Sequence, residues 1–116
     1  MDYSPATDVE PCSWKDIMRR LESSIENSVL RYAVLRAREL RMSLLIRKMN
    51  GLGNRSWPDR MLLFKGRAVF IEFKREGLKL TPLQADMFNR LNEVGISAFA
   101  VDNVDYGKKI IDMVFS

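Results

Sequence analysis

Two apolar runs, residues 61–64 and 68–73, flank Lys65 and Gly66, and no other feature constrains the chain as much. Short apolar runs on either side of a Gly-bearing dipeptide predict an antiparallel hairpin with a tight turn. With a two-residue turn, facing positions sum to 131, so Phe64 faces Arg67, Leu62 faces Val69 and Asp59 faces Glu72. A four-residue turn keeps this register; a three-residue loop would slide Asp59 opposite Phe73 and turn the two acidic side chains apart. In the favoured register the carboxylates lie across the ladder, roughly 5 Å apart at Cβ. Alternation puts Val69, Ile71 and Phe73 on one face of the second strand and Ala68, Phe70, Glu72 and Lys74 on the other.

Like charges facing each other destabilise a sheet, and a charge within a central apolar strand costs several kcal/mol unless it is partnered. Asp59, Glu72 and Lys74 therefore need a reason to be where they are. One reason is structural: Lys74 neutralises Glu72 at the strand end while Asp59 caps a solvated loop. The other is chemical: two carboxylates and a backbone carbonyl form an oxygen-rich site for Mg²⁺ or Mn²⁺, beside an ammonium that can act on water or phosphate.

The rest of the pattern supplies helices around this hairpin. From Ser13, apolar residues Ile17, Leu21, Ile25 and Val29 recur at helical spacing, flanked by Met18, Ala33, Ala37 and Leu40. They predict one long amphipathic helix that can break near residues 38–41. Residues 43–49 fit a strand or a further helical turn, with a strand favoured. Residues 50–59 (NGLGNRSWPD) read as a loop. Thr81, Pro82 and Gln84 predict a helix start with a capping box, followed by Leu83, Met87, Phe88 and Leu91 facing inward and a stop at Gly95. A short strand over Ser97–Val101 and a helix over Val104–Phe115 close an α-β-β-β-α-β-α order. The expected fold class is α/β, a central mixed sheet flanked by helices, with residues 1–13 a flexible tail and 14–116 a single domain.

Composition narrows the chemistry further. The 116 residues contain no histidine, which removes Ser-His-Asp and Cys-His nucleophile systems, His-based acid/base chemistry and His-ligated zinc. The single cysteine, Cys12, cannot form an internal disulfide and fits a reducing, cytoplasmic setting. The N-terminal residues are acidic and Pro-containing, unlike a signal peptide, and no apolar run approaches the ~20 residues that span a bilayer. Net charge is +4, but residues 51–80 alone hold seven basic groups against three acidic ones. A basic surface centred on the hairpin suits a polyanionic partner, and an ordinary solvated face would look the same.

The residues Pro58 and Asp59, then twelve others, then Glu72-Phe73-Lys74 resemble the signature of the PD-(D/E)xK nuclease superfamily. That short signature is weak alone. Its surroundings (a Gly-rich loop, WPDR, the hairpin, VFIEFKREG, LTPLQ, a helix ending at Gly95 and the strand SAFAV) resemble a VRR-NUC domain over about residues 22–115. The resemblance implies a restriction-endonuclease-like core. It implies that Asp59, Glu72 and the Phe73 carbonyl would ligate Mg²⁺ or Mn²⁺, that Lys74 would be the catalytic lysine, and that Gln84 would reach the site from the following helix. A capping box alone would also explain Gln84. The family places a further acid on its first helix, for which Glu26 is the choice and Glu22, one turn earlier, the competitor. Trp57 departs from the small residues usual before the proline.

The implied function is a metal-dependent, structure-specific endodeoxyribonuclease acting on four-way (Holliday) junctions or other branched DNA, as a homodimer. The rival is a non-catalytic nucleic-acid-binding module with a vestigial site. Arg55, Arg60, Arg67, Arg75 and Lys79 are candidate phosphate contacts as a group, although each taken singly reads first as ordinary surface charge. Trp57 is a candidate for stacking on an unpaired base, or for packing its own loop.

Overall fold

The computed structural model describes residues 14–49 and 56–116, with residue 15 and residues 18–23 described by backbone only. The element order is α1 (Trp14–Glu39), β1 (Leu45–Lys48), β2 (Arg60–Phe64), β3 (Arg67–Phe73), α2 (Pro82–Glu93), β4 (Ser97–Val101) and α3 (Val104–Phe115). This is the α-β-β-β-α-β-α order read from the pattern, with the strand alternative correct for residues 43–49. Residues 1–13, including Cys12, and residues 50–55, including Arg55, lie outside the described residues.

The hairpin turn sets the geometry of everything else. Lys65 and Gly66 both have positive φ, 48° and 71°, as the two-residue turn compatible with strand twist requires. The ladder runs from Phe64 opposite Arg67 to Arg60 opposite Ile71, which is the expected register. Strands β1 and β2 also pair antiparallel, while β3 and β4 pair parallel, giving a mixed four-stranded sheet of order β1-β2-β3-β4. The parallel pair is joined through α2; such a crossover needs an intervening element, because a tight turn cannot return the chain in the same direction.

One face of the sheet carries the main core. Leu62, Phe64, Val69, Ile71 and Phe73 pack there against Val29, Ala33 and Ala37 of α1 and Ile110, Ile111, Val114 and Phe115 of α3. The α1 residues are spaced by four, so they form one stripe along the helix. Gly107 of α3 lets the two helices approach: a Cβ there would lie 2.4 Å from Val29 Cγ2. Of the stripe residues whose side chains are described, Ile17 and Leu40 are exposed, while Val29, Ala33 and Ala37 are buried where the helix meets α3 and the sheet.

Helix α1 ends inside the expected window. Arg41 takes a left-handed φ of 53°, and the Met42 N–H donates to the Ala37 carbonyl at 3.0 Å, closing the last turn. Helix α2 ends in the same way with a glycine: Gly95 has φ 84°, and the Ile96 N–H donates to the Leu91 carbonyl at 2.8 Å. In α2, Leu91 is buried and Met87 and Phe88 are half-buried, but Leu83 is exposed, against expectation. The bond from Gln84 to Glu72 turns Gln84 toward the sheet, and Leu83, about 100° earlier around the helix, lies off that direction.

Candidate active site

Asp59 and Glu72 meet at the end of the hairpin remote from its turn. Asp59 stands one residue beyond the last ladder pair. Its carbonyl accepts from the Met49 N–H at 2.7 Å, and its side-chain Oδ2 accepts from the Phe73 N–H at 2.9 Å. The side chain thus takes a β3 amide that a continuing strand would have satisfied with a carbonyl, and this carries the Asp59 carboxylate across to β3. Lys74 follows Phe73, and its N–H donates to the Val101 carbonyl of β4 at 2.8 Å, so the main chain is held on both sides of the site.

Glu72 is buried, at 5 % exposure, on the sheet face opposite the α1–α3 core. Its two oxygens have unequal surroundings. Oε2 accepts from Gln84 Nε2 at 3.0 Å and lies 3.5 Å from Lys74 Nζ, whereas Oε1 is buried with no hydrogen-bond partner. Burial pushes the Glu72 carboxyl up to about 7, the Asp59 charge adds to the rise, and Lys74 works against it. A buried carboxylate oxygen with no donor, beside a second carboxylate, is a poor structural ion pair and a good cation ligand.

Gln84 makes both the cap contacts and a contact to Glu72. Its Oε1 accepts from the Thr81 N–H at 3.0 Å and its N–H donates to Thr81 Oγ1, which completes the capping box, while its Nε2 reaches Glu72.

Other candidates stand elsewhere. Glu26 forms a part-buried ion pair with Arg60. Among the described residues no group of three or more His, Cys, Asp or Glu could hold a metal ion, so Glu26 does not join Asp59 and Glu72 in one cluster. The register contains the reason: Arg60 is paired with Ile71 and shares its face, so it points to the α1 side, away from Asp59. On that face Arg60 meets an acid from the packed helix, Glu26, which local spacing in the sequence does not single out as its partner. The side chain of Glu22 lies outside what is described.

Arg67 is a correction to the expected ring of basic residues around the site. It sits at the hairpin turn, five residues and roughly 17 Å of strand from Glu72. There Nη2 donates to the Val114 carbonyl at 2.7 Å and the guanidinium lies over the Phe64 ring, so it serves the end of α3. Arg75 is half-buried and Lys79 exposed in the connection after β3, at the site's end of the sheet. Trp57 is half-buried with its ring 5.7 Å from that of Phe70, the packing alternative for this residue. Asp102, which sequence reasoning did not single out, accepts from the Gly77 N–H at 3.1 Å and steadies the turn that follows Lys74.

Two carboxylates, one carbonyl position and no histidine suit a hard divalent cation of the Mg²⁺ type, which is commonly held by one or two carboxylates and keeps much of its water. The orphaned Glu72 Oε1 meets the first requirement of such a site. A four-stranded mixed sheet flanked by three helices, with an acidic pair and a lysine at the ends of two central strands, defines a restriction-endonuclease-like α/β domain. A solved structure described as a VRR_NUC domain superimposes with a TM-score of 0.60 at 29% sequence identity, covering 76% of this chain and 95% of that one. The chain thus shares the fold of a VRR-NUC domain, and that likeness supports a nuclease-family domain. No family sequence profile matches it, and no curated protein aligns with it significantly. No helix among the described residues is long and apolar enough to cross a membrane.

Proposed function

We infer that this domain is a metal-dependent endodeoxyribonuclease that hydrolyses phosphodiester bonds in branched DNA, with the four-way junction as its preferred form. The observation that carries the reading is the buried Glu72 carboxylate, with one oxygen held by Gln84 and near Lys74 and the other left without a donor beside Asp59. Asp59, Glu72 Oε1 and the Phe73 carbonyl would hold Mg²⁺ or Mn²⁺. A cation bound there would supply charge stabilisation to a phosphate and lower the pKa of a water.

The chain's own residues do the remaining work. Lys74 Nζ, 3.5 Å from Glu72 Oε2, would donate to a phosphate oxygen as negative charge develops on it. Water oxygen bonds to phosphorus, the bridging P–O bond breaks, the water gives up a proton and the departing sugar oxygen gains one. Arg55, Arg75 and Lys79 would contact backbone phosphates and set the substrate's position without reading sequence. Arg60 is held by Glu26, and its contribution to DNA binding requires that pair to open.

A domain of this size covers little of a branched substrate. Two copies related by a two-fold axis would match the symmetry of a four-way junction, which supports a homodimer as the active form. The test uses end-labelled linear duplex, flap and four-way-junction DNA with Mg²⁺, with Mn²⁺ and with chelator. Metal-dependent cutting strongest on the junction is the expected result. Binding to all three DNAs without cutting in either metal would instead favour the binding module, and a purely monomeric species in micromolar sedimentation would contradict the dimer.

A further inference from the structure

The N-terminus of α2 is more than a helix start. A glutamine side chain presents an oxygen on one side and an NH₂ on the other, and a half-turn about its last bond exchanges them. At Gln84 both neighbours select the same sense. The Thr81 N–H can only donate, so it takes Oε1, at 3.0 Å; the Glu72 carboxylate, when ionised, can only accept, so it takes Nε2, also at 3.0 Å. Reversal would set oxygen against carboxylate and NH₂ against N–H, which disfavours the reversed sense at both ends.

This fixed amide acts on only one of the two Glu72 oxygens. Gln84 Nε2 and Lys74 Nζ both approach Oε2, leaving Oε1 buried without a donor. We propose that Thr81 and Gln84 form one positioning unit, in which the helix cap sets the sense of the Gln84 amide so that Glu72 is held by Oε2 and presents Oε1 to the cation. Thr81 is thus a positioning residue for metal binding, acting through Gln84. The proposal rests on the metal-site reading given above and adds to it a residue outside the ligand set.

The backbone supplies a selective way to test this. Thr81 has φ −70° and ψ 162°, values that a proline adopts without strain and that suit a residue preceding Pro82. Thr81→Pro therefore removes the N–H that holds Gln84 Oε1, together with the hydroxyl cap. Thr81→Ala removes the cap alone. Binding of Mn²⁺, followed calorimetrically without DNA, is compared for the parent, Thr81→Ala, Thr81→Pro, Gln84→Ala and the double variant Thr81→Pro/Gln84→Ala, with helix content checked by circular dichroism.

The expected result is Mn²⁺ affinity within about twofold of the parent for Thr81→Ala and weakened about tenfold for Thr81→Pro. The proline should cost nothing further in the Gln84→Ala background, which a merely structural effect of the cap would not produce. Equal affinity in Thr81→Pro and the parent, or an equal loss from the proline with and without Gln84→Ala, would overturn the positioning role while leaving the metal site standing. A parent protein that binds no Mn²⁺ would overturn the metal-site reading and the positioning role together.

Discussion

Strand β3 shows two kinds of burial on its two faces. Toward α1 and α3 it presents Val69, Ile71 and Phe73, all buried within a continuous apolar core. Toward α2 it presents Phe70 and Glu72, which are as deeply buried, but Glu72 is a carboxylate with one oxygen unsatisfied. The first face is what any sheet needs in order to fold. The second maintains an arrangement that folding alone would discard, since an apolar residue in place of Glu72 would avoid the desolvation that lifts its carboxyl to about 7.

If the faces divide labour in this way, substitutions on each should fail differently. Glu72→Gln should abolish cleavage, by at least about a thousandfold. The same change should leave the fold as stable as before or up to about 2 kcal/mol more stable near pH 8, because a buried charge is removed. Ile71→Ala, one residue away on the other face, should cost about 2–5 kcal/mol of stability while the protein that remains folded still cuts DNA. Parallel denaturant titrations and cleavage assays separate the two outcomes, and similar failures from both variants would break the comparison.

The pH dependence sharpens it further. Because the folded chain holds the Glu72 proton to about 7, above the ordinary 4.5, folding binds that proton more tightly than the unfolded chain does. The group's stabilisation is full below about 4.5 and is lost as pH rises through about 7, by up to about 3 kcal/mol. Thermal unfolding of the metal-free protein between about pH 5 and pH 8 should show this decline, and the decline should disappear in Glu72→Gln. On the core side, Gly107→Ala should cost about 1–3 kcal/mol with no change in that pH profile, since the new Cβ meets Val29. Smallest is Glu26→Gln, expected to cost about 1 kcal/mol through its part-buried pair with Arg60, read from chemical denaturation.

Much of this was legible because strand alternation and turn geometry are short-range. The positive φ at Lys65 and Gly66 fixes the register, and the register alone brings Asp59 beside Glu72. The capping box at Thr81 and Gln84 was visible for the same reason, being local chemistry with a three-residue spacing. What escaped depended on contacts between distant elements. The pairing of Glu26 with Arg60 joins positions 34 residues apart, and Arg67 serves the end of α3, 47 residues downstream. A helical acid can be placed next to an apolar stripe from sequence, but periodicity does not say which strand residue will face it. The exposure of Leu83 was hidden for a related reason: two apolar or amphipathic neighbours competed for one inward direction, and a hydrogen bond to β3 decided in favour of Gln84.

The central claim is that the α2-side face of β3 is a nuclease site rather than an unusually buried ion pair. The most direct test is single-turnover cleavage of an end-labelled four-way junction by the parent and by Lys74→Ala, in Mg²⁺ and in chelator, with binding measured on the same DNA. The account predicts cutting by the parent in Mg²⁺ only, and binding within a few-fold but no cutting by Lys74→Ala. Cleavage by Lys74→Ala at the parent's rate, or cleavage by the parent in chelator, would contradict it.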